Sequence, residues 1–106
     1  NKRTEALEKL ETLFDSSEIY IADMCRYQYA WLTFLQGDAE LTKMQLSEIK
    51  NETIFKELAH IFQAEILDYI DKDISAAIDH YLEFLELYPQ SIYYDDVRLR
   101  LRKITS

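Results

Sequence analysis

The scarcity of turn-forming residues limits the fold of this chain more than any other feature. Its 106 residues include one glycine, Gly37, and one proline, Pro89. β-Sandwiches, β-barrels and doubly wound sheets need a turn about every 8–12 residues, commonly built from glycine, proline or Asn-Gly. Phosphate-binding and dinucleotide-binding loops need several glycines where the backbone approaches the ligand. The sequence therefore predicts an all-α fold without a nucleotide-binding loop.

Composition and charge narrow the classes of partner. The hydrophobic fraction is 48% and the formal net charge is -8. A chain of this length and apolar content can bury a core, so we expect one folded domain. Its acidic surface repels the phosphates of nucleic acids and anionic lipid headgroups. No apolar run approaches the roughly 20 residues that cross a bilayer. We therefore expect no nucleic-acid partner and no direct membrane insertion.

Apolar residues recur at helical spacing along nearly the whole chain, and short polar interruptions separate the segments. Six helices are predicted, near residues 3–14, 18–35, 38–49, 54–70, 74–88 and, after Ser91, up to 104. Gly37 suits the left-handed turn after the second helix. Candidate N-caps are Ser16 or Ser17, Asn51 or Thr53, and Ser91. Residues 97–102 alternate apolar and basic as a strand would, but no second strand is available to pair with them, so they are predicted to be helical.

A spacing pattern recurs at an interval of 35 or 36 residues. Its clearest copy is Ala77, Tyr81 and Phe84, followed by Pro89. The two earlier copies read Thr42, Leu46 and Ile49, and then Ala6, Leu10 and Leu13. The small–large–large order resembles the second helix of a tetratricopeptide repeat (TPR), in which the small residue lets two helices approach closely. Glu65 and Asp68 depart from the small and aromatic residues of the first-helix pattern.

Residues 81–93, YLEFLELYPQSIY, also resemble a phrase common in TPR proteins of the bacterial cell envelope. The resemblance implies a right-handed superhelix of antiparallel helix pairs within a single domain. Its parts would be a half repeat 1–16, repeats 17–51 and 52–90, and a capping helix 91–106. Because the pattern opens on a second helix, we expect the chain to be the C-terminal fragment of a longer protein. The resemblance favours the bacterial periplasm, and a cytoplasmic location stays open.

The polar residues form no recognisable catalytic motif. His60 and His80 lack the spacing of a metal motif, and Cys25 lies in an apolar helical stretch where a buried, inert thiol is usual. The carboxylates at positions 68, 71 and 73 are expected to form a solvated helix end. Asn51-Glu52-Thr53 fits both a glycosylation acceptor and a helix cap, and we favour the cap. We therefore expect no enzyme activity, no metal and no cofactor.

The second predicted helix carries aromatic residues along one face. Tyr20, Met24, Tyr27, Trp31 and Phe34 share it, and an interval of 35 residues leads to Phe55, Ala59, Phe62, Ile66 and Tyr69. The TPR resemblance implies a concave, partner-binding groove formed by Tyr27, Trp31, Phe34, Phe62, Ile66 and Tyr69. Lysine and asparagine are absent from these six positions, which disfavours a clamp for a peptide carboxylate. The alternative interpretation is that this face is core, because a helix that is apolar on two faces is normally buried on both.

The function predicted from these features is a non-enzymatic protein–protein interaction scaffold. It would bind a protein or peptide segment on its concave face, with Trp31 and Tyr69 as anchors. The alternative is a structural spacer or self-association module at the end of a longer solenoid, which leaves a homodimer open. The basic residues 98–103 are expected to be a solvated cap, with docking of an acidic partner as the second interpretation.

Overall fold

The chain is helical from end to end, in agreement with the all-α prediction. The computed structural model describes residues 1–106 and contains six α-helices and no strand. The helices are α1 (Lys2–Glu11), α2 (Ile19–Leu35), α3 (Ala39–Ser47), α4 (Ile54–Glu65), α5 (Ile74–Leu87) and α6 (Tyr94–Thr105). A π-helical segment, Ile66–Ile70, continues directly from α4. None of the helices has both the length and the apolarity required to span a membrane.

Local backbone chemistry explains the end of α2 and the starts of α3 and α5. Gly37 adopts φ +86°, the left-handed conformation expected after α2. Asp38 and Asp73 cap α3 and α5, because their carboxylates accept hydrogen bonds from backbone N–H groups three residues later, at 3.1 and 3.2 Å. Residues 97–102 are helical, as predicted.

Other helix ends differ from the prediction. The first helix ends at Glu11 rather than near residue 14, because its last turn tightens and the N–H of Leu13 donates to the Leu10 carbonyl. The side chains of Asn51 and Thr53 do not lie free at the start of α4: both donate to the buried carboxylate of Asp23, at 3.1 and 2.8 Å. A buried carboxylate needs such donors. In the last connection, the hydroxyl of residue 91 accepts from the N–H of residue 93, and α6 begins one residue later.

The chain divides into two compact units, Asn1–Ala59 and His60–Ser106. In the first unit, α2 packs against both α1 and α3. Its buried apolar residues are Ala22, Cys25, Ala30, Leu46, Ile49 and Ala59. The hydroxyls of Thr33 and Thr42 meet 2.8 Å apart between α2 and α3, and neither side chain is exposed.

In the second unit, α5 packs against α6 and against the π-helical segment. Its core consists of Ala64, Ala77, Tyr81, Phe84 and Val97. The later two copies of the sequence pattern, one in each unit, are therefore buried at all three positions. In the earliest copy, two residues are half-buried and Leu13 is 44% exposed.

Candidate functional site

The six residues of the predicted groove differ widely in accessibility. Phe62 and Ile66 are buried, at 7% and 1% exposure. Tyr27 and Phe34 are half-buried. Trp31 and Tyr69 are exposed by 42% and 53%, so they present the largest accessible aromatic surface of the set. The partner-binding role of the six stays a prediction, and in this conformation Trp31 and Tyr69 are the members that a partner can reach.

Aromatic packing accounts for much of the α2 face in the first unit. Phe55, at the start of α4, meets the rings of Tyr20 and Tyr27 with centroids 5.0 and 5.9 Å apart. Trp31 meets Phe34 edge-on at 5.8 Å. These separations suit edge-to-face aromatic pairs, which stabilise a fold beyond their buried area. Some of the aromatic residues on this face of α2 therefore pack against one another or against Phe55.

An apolar pocket lies beside the exposed indole of Trp31, between α1 and α2. Its volume is about 520 Å³, and its lining consists of Ala6, Lys9, Leu10, Gln28, Trp31 and Leu32. The small side chain of Ala6 leaves room there, and Lys9 is the only charged residue of the lining. We call this cavity the Trp31 pocket. It can accept an apolar side chain of a partner.

A second, more polar pocket lies in the second unit. Its volume is about 300 Å³, and its lining consists of Ile61, Glu65, Tyr69, Tyr81, Tyr93, Asp96, Val97 and Arg100. We call this cavity the tyrosine pocket. Three phenol rings and two carboxylates contribute to one concave surface, which suits a polar or charged group rather than a purely apolar one.

A buried ion pair holds the wall of the tyrosine pocket. The guanidinium of Arg100 donates twice to the Asp68 carboxylate, at 2.7 and 2.8 Å, and the Tyr81 hydroxyl donates to the same carboxylate at 2.8 Å. The Asp68 side chain has 0% of its surface exposed. The guanidinium also stacks 4.6 Å above the ring of Tyr69. This bidentate pair fixes α6 against the π-helical segment.

Burial and the hydrogen bonds shift the pKa values of Asp68, Tyr81 and Arg100. The Arg100 guanidinium holds the pKa of Asp68 below its usual range, although burial opposes this effect, and the Tyr81 hydroxyl lowers the pKa further. Burial, followed by the Asp68 carboxylate, raises the pKa of Tyr81. The bond to Asp68 raises the pKa of Arg100. Asp68 is therefore a carboxylate and Arg100 a cation throughout the neutral range.

The backbone around this network departs from regular helix. The N–H of Asp71 donates to the carbonyl of Ile66, five residues earlier, at 2.9 Å. Lys72 then adopts φ 55°, a conformation that non-glycine residues rarely occupy. π-Helical turns and left-handed residues recur at functional sites. The irregular backbone carries Asp68 and Tyr69, two of the groups that define the pocket and its wall.

The predicted solvated helix end and solvated cap agree with the exposure of Asp71, Asp73, Arg98, Arg102 and Lys103. The prediction was wrong for Asp68 and Arg100. Asp68 is not part of a solvated helix end, and Arg100 is not a solvated residue of the cap, because the two form the buried pair. A signal was present in the spacing. Asp68 follows Ala64 by four residues, and Arg100 follows Val97 by three, so each charge lies on the apolar stripe of its own helix.

The remaining reactive side chains are held by the fold. Cys25 is buried, as predicted. The rings of His60 and His80 lie 5.6 Å apart. His60 Nε2 lies 3.1 Å from the His80 carbonyl, and His80 Nδ1 lies 3.2 Å from the Ala76 carbonyl; because carbonyls only accept, both nitrogens carry protons. No group of three His, Cys, Asp or Glu side chains could hold a metal ion.

The two pockets, one in each unit, offer different chemistry. The Trp31 pocket is apolar with one lysine, and the tyrosine pocket combines aromatic rings with carboxylates. Comparison with known proteins adds no relative: no protein-family model, no curated protein and no solved structure matches the chain.

Proposed function

We propose that this chain is a non-enzymatic protein-interaction module that binds a segment of a partner protein through the Trp31 pocket. The observation that carries the proposal is the position of the single tryptophan, which is 42% exposed and borders an apolar cavity of about 520 Å³. Tryptophan combines a large apolar area with few rotatable bonds, so it is enriched among the residues that dominate protein interfaces. A cavity beside such a residue supplies the recess that an anchor side chain requires.

The lining of the pocket favours one kind of occupant. Most of the surface is apolar, so the anchor is a leucine, methionine or aromatic side chain. Lys9 is the one charged residue of the lining, so an aspartate or glutamate beside the anchor is favoured electrostatically. The occupant is therefore a short protein segment with an apolar anchor and an acidic neighbour.

The proposal includes the arrangement of the helix pairs in a TPR-like superhelix. Two facts support it: α2 packs against α1 and α3, and α5 packs against α6, as helices adjacent in a repeat array do. In addition, the pattern residues Ala77, Tyr81 and Phe84 are buried in the second unit, as are Thr42, Leu46 and Ile49 in the first. The small residues of both copies thus lie where helices approach closely.

A displayed library of short peptides, selected against the whole chain, tests the binding function. We expect the selected peptides to share an apolar anchor next to an acidic residue. Binding of a labelled peptide is then measured by fluorescence polarisation. Because Trp31 is the only tryptophan, its own emission reports whether the pocket is occupied: burial of the indole shifts the emission to shorter wavelength.

Two variants separate the pocket from general surface hydrophobicity. Trp31→Ala is expected to weaken peptide binding at least about tenfold, the loss typical of an interface anchor. Leu35→Ala removes a side chain of α2 that is 59% exposed and outside the pocket, and it should leave the affinity unchanged. Equal losses in both variants would contradict the proposal.

Self-association is the alternative function, and it makes a different prediction. If the Trp31 pocket holds a second copy of the chain, light scattering shows a dimer whose fraction rises with concentration and falls in Trp31→Ala. A concentration-independent monomer that binds the selected peptide supports the interaction module.

A further inference from the structure

The lining of the tyrosine pocket includes two carboxylates that have no ion-pair partner. Glu65 and Asp96 both contribute to its lining. No lysine or arginine lies within ion-pair distance of either carboxylate. Arg100 also lines the pocket, but both of its bonded nitrogens donate to Asp68, so its charge is already matched by a buried carboxylate. Two carboxylates therefore remain uncompensated at the pocket.

The aromatic residues add to the same preference. Tyr69, Tyr81 and Tyr93 line the cavity, and the rings of Tyr69 and Tyr93 are exposed whereas Tyr81 is buried. The faces of aromatic rings carry partial negative charge and attract cations. The chain itself demonstrates this attraction, because the Arg100 guanidinium lies 4.6 Å above the Tyr69 ring. A cavity of about 300 Å³ between such rings has room for a small organic cation.

We propose that the tyrosine pocket binds an organic ammonium group, held by the carboxylates of Glu65 and Asp96 against the exposed rings of Tyr69 and Tyr93. This site is separate from the Trp31 pocket, which belongs to the other unit, so the inference does not depend on the proposed function. An anionic ligand is disfavoured, because it would meet two unpaired carboxylates and would have to compete with Asp68 for the only cation of the lining.

The charge state of Glu65 determines how the affinity of the site for a cation changes with pH. Partial burial, followed by repulsion from Asp68, raises the pKa of Glu65. The other titratable groups around the pocket are Asp96, Arg100 and the three tyrosines. Protonation of Glu65 removes one of the attractive charges, so affinity for the cation falls as the pH drops into the range where Glu65 takes up a proton.

The test compares choline with 3,3-dimethylbutan-1-ol, which has the same shape and no charge. Binding to the whole chain is followed by amide chemical shifts in NMR titrations. We expect choline to shift resonances of residues 65–69 and 93–100 and to bind about tenfold more tightly than the neutral alcohol, the ratio expected for a cation over aromatic rings. Shifts confined to other parts of the chain would overturn the proposal.

Variants then assign the binding to the pocket. Glu65→Gln should weaken choline binding by about threefold or more, because it removes one carboxylate with little change in shape. Glu86→Gln removes an exposed carboxylate of α5 outside the pocket and should have no effect. A loss of the same size in both variants would show a general effect of net charge and would refute the site.

A second pair of probes identifies the source of the ammonium group. Nα-acetyl-lysine methylamide presents the side chain of a partner protein, and the corresponding norleucine derivative lacks the charge. If the lysine derivative binds more tightly than choline, the natural ligand is a lysine side chain. If choline binds more tightly, the ligand is a free quaternary amine. Failure of both cations to bind better than their neutral counterparts would refute the proposal while leaving the peptide-binding function of the Trp31 pocket untouched.

Discussion

Arg100→Met is expected to destabilise the chain severely, because it leaves a buried charge without its counter-ion. The Asp68 side chain is 0% exposed and would retain one donor, the Tyr81 hydroxyl. Removal of one partner from a buried ion pair costs about 3–5 kcal/mol. The Arg100 side chain is 31% exposed, so we take the lower end of that range, about 3 kcal/mol. Domains of this size are stable by roughly 5–15 kcal/mol in total.

Urea denaturation, followed by far-UV circular dichroism, measures the change in the free energy of unfolding. Arg98→Met is the matched control on the same helix. Arg98 lies 3.5 Å from Asp95, with 56% and 85% of the two side chains exposed. Exposed pairs of this kind contribute at most about 1 kcal/mol. The control should therefore lose little stability.

A double variant distinguishes a buried charge from simple loss of contacts. Asp68→Asn/Arg100→Met removes both charges and keeps an oxygen that accepts from the Tyr81 hydroxyl. We expect the double variant to be more stable than Arg100→Met by about 2 kcal/mol, because the uncompensated carboxylate is gone. The reasoning is refuted if the second substitution lowers stability further, or if Arg100→Met costs no more than Arg98→Met.

Three further predictions concern pH and local structure. The pKa of Asp68 is lower in the folded chain than in the unfolded chain, so its ionised form stabilises the fold at pH values above the unfolded pKa of about 3.9. The difference in unfolding free energy between wild type and Asp68→Asn should therefore shrink as the pH falls through the folded pKa. Urea titrations at a series of pH values measure this difference. Gly37→Ala places a Cβ in open space at φ +86° and should cost about 1–2 kcal/mol from backbone strain alone. Lys72→Gly, at φ 55°, should be neutral or stabilising when thermal unfolding is measured. A stabilising Gly37→Ala would contradict this expectation. Thr42→Val removes the contact between the Thr33 and Thr42 hydroxyls but leaves the Thr33 hydroxyl bonded to the Ala30 carbonyl at 2.7 Å. It should therefore cost no more than about 1 kcal/mol, and Thr33→Val/Thr42→Val should cost less than the sum of the two single substitutions in the same assay.

Local chemistry explains why the helices could be predicted from the sequence. The scarcity of glycine and proline argued against sheets, and the apolar spacing located all six helices. Gly37 and Pro89 mark the ends of α2 and α5 because each acts on the backbone within one or two residues. Residues of the repeat pattern in α3 and α5 are buried because small and large apolar side chains at that spacing share one helix face.

Long-range polar contacts could not be predicted in the same way. Asp68 and Arg100 are 32 residues apart, and Asp23 is 28 and 30 residues from Asn51 and Thr53, which bond to it. From local sequence alone, a carboxylate near a helix end is expected to be solvated, because only the packing of the fold brings its hydrogen-bond donors close. The π-helical segment depends on the same packing. Its backbone hydrogen bonds join residues five apart, and no sequence motif marks this spacing.

Helical spacing could not separate the accessible residues of the predicted groove from the buried ones. It placed Trp31 on the aromatic face of the second predicted helix, and Tyr69, Phe62 and Ile66 on the corresponding face of the fourth. The structure leaves the first two accessible and buries the other two. The two pockets arise from side chains of different helices, so their linings could not be read from any single stretch of sequence.

The measurement that tests the proposed function most directly is the set of intermolecular nuclear Overhauser effects between a selected peptide and the whole chain. We expect contacts from the apolar anchor of the peptide to the Trp31 indole and to the side chains of Ala6 and Leu10. Contacts that locate the anchor elsewhere on the chain, with the Trp31 indole unchanged, would contradict it.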